Sequence, residues 1–144
     1  MILRYLLSHT GVNPGLVKRA QALLDAGLKR LTTFECREKG YEWFGGDPGH
    51  EALTAYGLME FTEMSAVTNN VDPAMLVRTR NWLMSRRDGK GGFLRNPRAL
   101  DSFGGAPADT TEVYITWALS QSDVTGIDAE VDKAAHVGLT GDDM

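Results

Sequence analysis

Between Gly40 and Phe61 the chain runs Gly-Tyr-Glu-Trp-Phe-Gly-Gly-Asp-Pro-Gly-His-Glu-Ala-Leu-Thr-Ala-Tyr-Gly-Leu-Met-Glu-Phe, and a looser copy of the same order follows downstream. Three aromatics (Tyr41, Trp43, Phe44) form a hook. A Gly/Pro turn from Gly45 to Gly49 comes next, and then a helix apolar around most of its circumference. In the second copy Gly91-Gly92-Phe93 is the hook, Phe103 to Pro107 supply the turn, and Asp109 to Gln121 form the helix. Setting Glu51 on Glu112 brings Tyr56 onto Trp117, Gly57 onto Ala118 and Leu58 onto Leu119, a constant offset of about 61 residues. A helix apolar on nearly every side must have neighbours on every side. Two such helices at a fixed period therefore predict a chain of stacked helix pairs whose buried members lie at 50–64 and 109–121.

The intervening segments fit the outer members of those pairs. Asn13-Pro14 is a cap followed by proline at the first helical position. Leu16, Ala20, Leu23, Gly27, Leu31 and Phe34 then recur at three- and four-residue steps, which predicts one amphipathic helix over 14–34. Asp72-Pro73 repeats the signal and opens a second amphipathic helix over 72–86, with Met75, Leu76, Thr79, Trp82 and Leu83 on its apolar face. Ile2 to Leu7 reads as the end of a helix, and Ile127 to Val137 as a weak last one with a thin stripe of Ile127, Val131, Ala134 and Ala135. Asp109 is the expected cap of the 109–121 helix, with Glu112 three residues on. No strand pattern appears. Half-exposed helices alternating with buried ones are what two concentric helical layers require, so the expected fold is all-α, an α/α toroid or part of one. Residues 1–144 are expected to be one internal piece of such a domain, frayed over 138–144.

Charge and cysteine content remove several functional classes. A net charge of -4 over 144 residues, with no basic stripe, argues against a nucleic-acid partner. Arg78, Arg80, Arg86 and Arg87 are the one basic cluster and read as a solvated helix face. Cys36 is the sole cysteine, which excludes an internal disulfide and a multi-cysteine metal centre. No stretch has the length of a membrane span, and the apolar run at Met1 stops at Leu7 without a leader-type cleavage site.

The order of these segments resembles the thioester domain of the α2-macroglobulin and complement family. In that family a Cys-Gly-Glu-Gln thioester segment leads into an apolar helix, whose end is similar to Met1 to Leu6. A leucine-striped helix and a "Gly-Tyr … Phe" hook follow, as in Ala26 to Phe44. Leu53-Thr54-Ala55-Tyr56 matches the family's "Leu-Thr-Ala-Tyr" inner helix letter for letter. Trp82-Leu83 with Asp88-Gly89-Lys90-Gly91-Gly92-Phe93 is similar to its "Trp-Leu … Asp-Gly-x-Phe" segment, and Thr111 to Leu119 to its next inner helix, with Val113 where the pattern has Ala. The resemblance implies an α/α toroid longer than this chain. It also implies an extracellular or periplasmic parent protein, a broad-spectrum protease inhibitor that traps its attackers covalently through an internal thioester. The implied partners are proteases, met through the parent, and the parent's remaining domains, with no cofactor.

The thioester itself is expected outside this chain. Cys36-Arg37-Glu38-Lys39 mimics the family motif, but Lys39 has no carboxamide to condense with the thiol, and the segment lies in the first hook loop. The segment is thus expected to be catalytically inert, with no catalytic, cofactor or metal residue. In complement members a His after the second hook redirects the thioester towards hydroxyls. Leu94 to Gly105 holds no His, with Ala99 to Asp101 nearest the matching position, so the resemblance implies the amine-preferring branch. His9, His50 and His136 share no ligand spacing, and His50 beside Glu51 reads as a capping or solvent residue. Glu51 and Glu112 read as early-turn carboxylates complementing the helix dipole. The aromatics Tyr41, Trp43, Phe44, Trp82, Phe93, Tyr114 and Trp117 read as packing between layers. Truncating Tyr56 or Trp117 to alanine is accordingly expected to cost roughly 3–5 kcal/mol. Two alternatives share the architecture: a toroid binding module without chemistry, and a toroid enzyme such as a prenyltransferase or cyclase. The enzyme would need an acidic motif or a zinc set. The only Asp pair, Asp142-Asp143, lies in the tail.

Overall fold

The computed structural model describes residues 2–46, 48–98 and 106–137. Among the described residues six α-helices follow one another: α1 (Ile2–Ser8), α2 (Pro14–Leu31), α3 (Glu51–Ser65), α4 (Pro73–Ser85), α5 (Ala108–Ser120) and α6 (Asp128–Ala135). A 3₁₀ turn over Thr32–Phe34 extends α2. Among the described residues the only extended pairing is two isolated bridges, Glu35 to Tyr41 and Arg87 to Phe93. The chain is all-α, as its periodicity requires.

The caps explain where the helices begin. Asn13 accepts from the Gly15 amide at 2.8 Å, and Asp72 accepts from the Ala74 amide at 2.9 Å, each with proline one residue later. The second inner helix differs from expectation. It starts one residue early behind Pro107, so Asp109 sits in the first turn and favours the dipole from there.

Helices α3 and α5 pack against each other, α4 lies on α3, and α6 lies on α5. One core joins Ala55, Leu58, Trp82, Leu83, Phe93, Ile115 and Leu119; a second joins Leu28, Tyr41, Phe61, Val71 and Met75 where the end of α2 meets α3 and α4. The α4 face is as expected, with Met75, Thr79, Trp82 and Leu83 all buried. The α2 stripe is not. Leu16 and Leu23 are exposed and Leu28 is the one buried residue of the helix, because only its C-terminal end reaches the core.

Tyr56 and Trp117, expected inside, are 52% and 49% exposed. Both occupy exposed positions of α3 and α5, and the repeat carries this exposure as faithfully as it carries burial at Leu58 and Leu119. Trp43 and Phe44 are exposed as well, so the layer packing falls to Tyr41, Trp82 and Phe93. The expected cost of Tyr56→Ala or Trp117→Ala drops to about 1 kcal/mol, the ordinary range for a partly exposed site. Chemical denaturation of the two variants measures it.

Candidate functional site

The two hook loops are built alike, down to single hydrogen bonds. In the first, the Cys36 amide donates to the Gly40 carbonyl at 2.7 Å and the Glu42 amide to Phe34 at 3.3 Å. In the second, the Asp88 amide donates to Gly92 at 2.9 Å and the Leu94 amide to Arg86 at 2.7 Å. Lys39 and Gly91 both take positive φ, at 78° and 83°, at the matching position. Glycine adopts that conformation freely and lysine at a cost. Asp88 tightens the second hook further, its Oδ1 accepting from the amides of Lys90 at 2.7 Å and Gly92 at 2.9 Å. Those two amides hold its carboxyl below the usual carboxylate range.

The first hook is fastened to the helix after it. Thr54 Oγ1 accepts from the Tyr41 amide at 2.8 Å and donates to the His50 carbonyl at 2.8 Å, tying the first hook to α3. Trp82 of α4 lies flat beneath that hook: a Cβ on Gly40 would sit 2.6 Å from its ring, and one on Gly49 2.8 Å. Of the four arginines read as a solvated face, three are instead ionic fastenings and the fourth, Arg80, is tied to a backbone carbonyl. Arg78 forks onto Glu35, with Nη2 to Oε2 at 3.0 Å, and reaches Asp72 at 3.1 Å. Arg80 donates to the Ser122 carbonyl at 2.8 Å. Arg86 donates to Glu51 at 2.8 Å, and Arg87 forks onto Glu130 at 2.7 and 3.0 Å. The Glu35 and Glu130 pairings raise the pKa of Arg78 and Arg87.

Glu51 is therefore more than an early-turn carboxylate. It is buried, takes Arg86 on Oε1, and accepts the Asn96 amide on Oε2 at 3.2 Å, so it joins α3 to both α4 and the second loop. Its repeat partner Glu112 meets Lys133 of α6 at 2.6 Å, an ion pair without hydrogen-bond alignment. Glu130 corrects the expected α6 stripe: it is 1% exposed while Val131 points outward.

Tyr41 is buried, and burial first, then the nearby Glu35 charge, pushes its pKa up to about 12. Because the folded value lies above the unfolded one, the stabilising effect of the neutral phenol is complete below about pH 10. It is lost as the pH rises towards 12. A stability profile over that window is expected to fall more steeply for the native chain than for Tyr41→Phe.

Cys36 is 1% exposed, and its Sγ donates to the Gly46 carbonyl at 2.9 Å. His50 caps α3, its ring accepting from the Leu53 amide at 3.4 Å. His9 stacks on Tyr5 with 3.9 Å between centroids, and His136 contacts the Asp132 carbonyl. Among the described residues no three His, Cys, Asp or Glu side chains converge as metal ligands. The tail with Asp142-Asp143 and the Ala99 to Asp101 position lie outside the described residues.

What this arrangement provides is a platform of pinned hooks on paired helices. The profile of the A-macroglobulin TED domain matches residues 1–137. The chain belongs to this family. No curated protein matches it. Two of the segments on which the sequence resemblance rests, Leu53 to Tyr56 and Asp88 to Phe93, lie in the first inner helix and the second hook. TED domains are the binding and covalent-attachment domains of macroglobulins. Sequence reasoning missed the pairs Arg78–Glu35, Arg86–Glu51 and Arg87–Glu130 because they join residues 43, 35 and 43 positions apart, and no local pattern pairs them.

Proposed function

We propose that this chain is a segment of a macroglobulin-like protease trap, acting through a thioester located outside residues 1–144. The carrying observation is the TED-domain match over residues 1–137 in a chain whose single cysteine has Lys39, not Gln, three residues on. Cys36 supports the same placement, being sealed inside the first hook rather than presented to an acyl partner. On this reading the segment forms no bond itself and holds the scaffold on which the trap is mounted. The parent is secreted or periplasmic, and no described helix is long and apolar enough to cross a membrane.

Incubating the parent protein with an active protease tests this. A denaturant-resistant adduct is expected to form, to disappear after pretreatment with methylamine, and to persist in the Cys36→Ala variant. Loss of amine-sensitive adduct in that variant would place the thioester at Cys36 and overturn the proposal. An adduct cleaved by hydroxylamine would mark an ester, contrary to the amine-preferring chemistry expected.

A further inference from the structure

Helices α2 and α4 repeat one pattern. Setting Asn13-Pro14 on Asp72-Pro73, an offset of 59 residues, brings Leu16 onto Met75, Arg19 onto Arg78, Leu23 onto Trp82 and Leu24 onto Leu83. On α4 these positions grip the first hook. Arg78 forks onto Glu35, Met75 shares a core cluster with Tyr41, and the Trp82 ring lies 2.6 Å from where a Cβ on Gly40 would be. On α2 the same positions face water. Leu16 is 51% and Leu23 65% exposed, against 1% for Met75 and 8% for Trp82. Arg19 is exposed too and, among the described residues, holds no carboxylate.

The rest of the chain does not cover this face. Asp25 accepts from the Asn70 side chain at 2.8 Å, so its side of α2 is turned to the loop between α3 and α4. At 3.6 residues per turn, Leu23 and Leu16 lie roughly 160–180° round the helix from it. Both hooks of the chain are already gripped. The first is held by α4, and the second by α6, where Arg87 forks onto Glu130 and a Cβ on Gly91 would sit 2.7 Å from the Ala129 carbonyl oxygen. In each case the gripping helix packs on the inner helix that follows its hook, α4 on α3 and α6 on α5. Helix α2 packs on α1 in the same way, so its hook would precede α1.

We infer that the Leu16–Arg19–Leu23 face of α2 is the seat of a third hook, a turn of the parent chain outside residues 1–144. The turn offers a carboxylate to Arg19 and an apolar side chain to the two leucines. Charge selects this occupant: Lys18, Arg19, Lys29 and Arg30 are exposed on α2, so two copies meeting through this helix would set like charges together. A carboxylate forked by arginine, over leucines withdrawn from water, is the arrangement that α4 already displays. The inference rests on the reading of this chain as a segment of a larger protein and adds the face by which the segment is joined to it.

The probe is a cyclic peptide of residues 34–42 carrying Cys36→Ser. Its ends already meet in the native hook, where the Glu42 amide donates to the Phe34 carbonyl at 3.3 Å. The peptide is titrated into the 144-residue chain while the Leu16 and Leu23 methyl resonances are followed by NMR. Both are expected to shift. Arg19→Glu should weaken binding at least tenfold, for want of one charge-assisted fork, and a peptide carrying Glu35→Lys should recover it on that variant. The position is exposed, so the melting temperature should hold and the loss is not unfolding. Absence of shifts at the two leucines overturns the inference. So does equal binding by Arg19→Glu, or failure of the exchanged charges to recover it. Shifts that follow protein concentration without peptide would give the seat to a second copy, and overturn it as well. The trap reading fails separately, since its adduct needs a protease and this binding needs none.

Discussion

Trp82→Ala is expected to destabilise the chain by about 3–5 kcal/mol, the range for truncating a buried aromatic. Its indole is 8% exposed and fills the space between α4 and the first hook. Gly40 and Gly49 approach its ring so closely that neither could carry a side chain. Arg86 lies over the ring, 5.9 Å from its centroid, and is the same arginine that holds Glu51. Removing the indole thus opens a cavity and unseats an ionic fastening together. Gly40→Ala attacks the same contact from the other side and is expected to cost about 1–3 kcal/mol by overpacking. The two changes share one contact, so the double variant should lose less than the sum of the singles. Urea titrations of the three variants measure this. Strict additivity would mean that Gly40 is constrained by its own backbone and not by the ring.

How much of this was legible in the sequence depends on the range of the signal. Helix starts were written locally: Asn13-Pro14 and Asp72-Pro73 set α2 and α4, and His50 caps α3. The inner helices were legible as a repeat, but the residues inward on them were not. An apolar circumference says a helix is surrounded, not on which side a neighbour is absent, and Tyr56 and Trp117 fall on that side. The α2 stripe misled for a related reason. Periodicity marks a face, whereas burial of Leu28 alone reflects where along its length the helix meets α3 and α4.

The site divides in the same way. That Cys36 lacks the carboxamide three residues on that a thioester uses is legible from Lys39, and the proposed placement of the thioester elsewhere follows from it. The basic cluster in and just after α4 was legible as a cluster but not as a set of fastenings, because its partners Glu35, Glu51 and Glu130 come from three other elements.

Arg87→Met is expected to cost about 3 kcal/mol, because it strands Glu130, a carboxylate 1% exposed, without a partner. The value sits at the low end for a broken buried pair since Arg87 keeps 32% of its side chain in water. The pair has a counterpart in the first repeat with the charges exchanged: there the hook carries Glu35 and the outer helix carries Arg78. Glu35 and Arg87 begin the two equivalent bridges, and Arg78 and Glu130 lie the same 52 positions apart as they do. A fork that occurs in both orientations on one backbone plan says that the hook needs complementarity and not a particular sign. The exchange Arg87→Glu with Glu130→Arg should therefore recover most of what either single reversal loses, as read by melting temperature. If the exchange stays as unstable as the singles, the sign is fixed by the neighbouring Asp88 and Lys133, and the second hook is electrostatically specialised in a way the first is not.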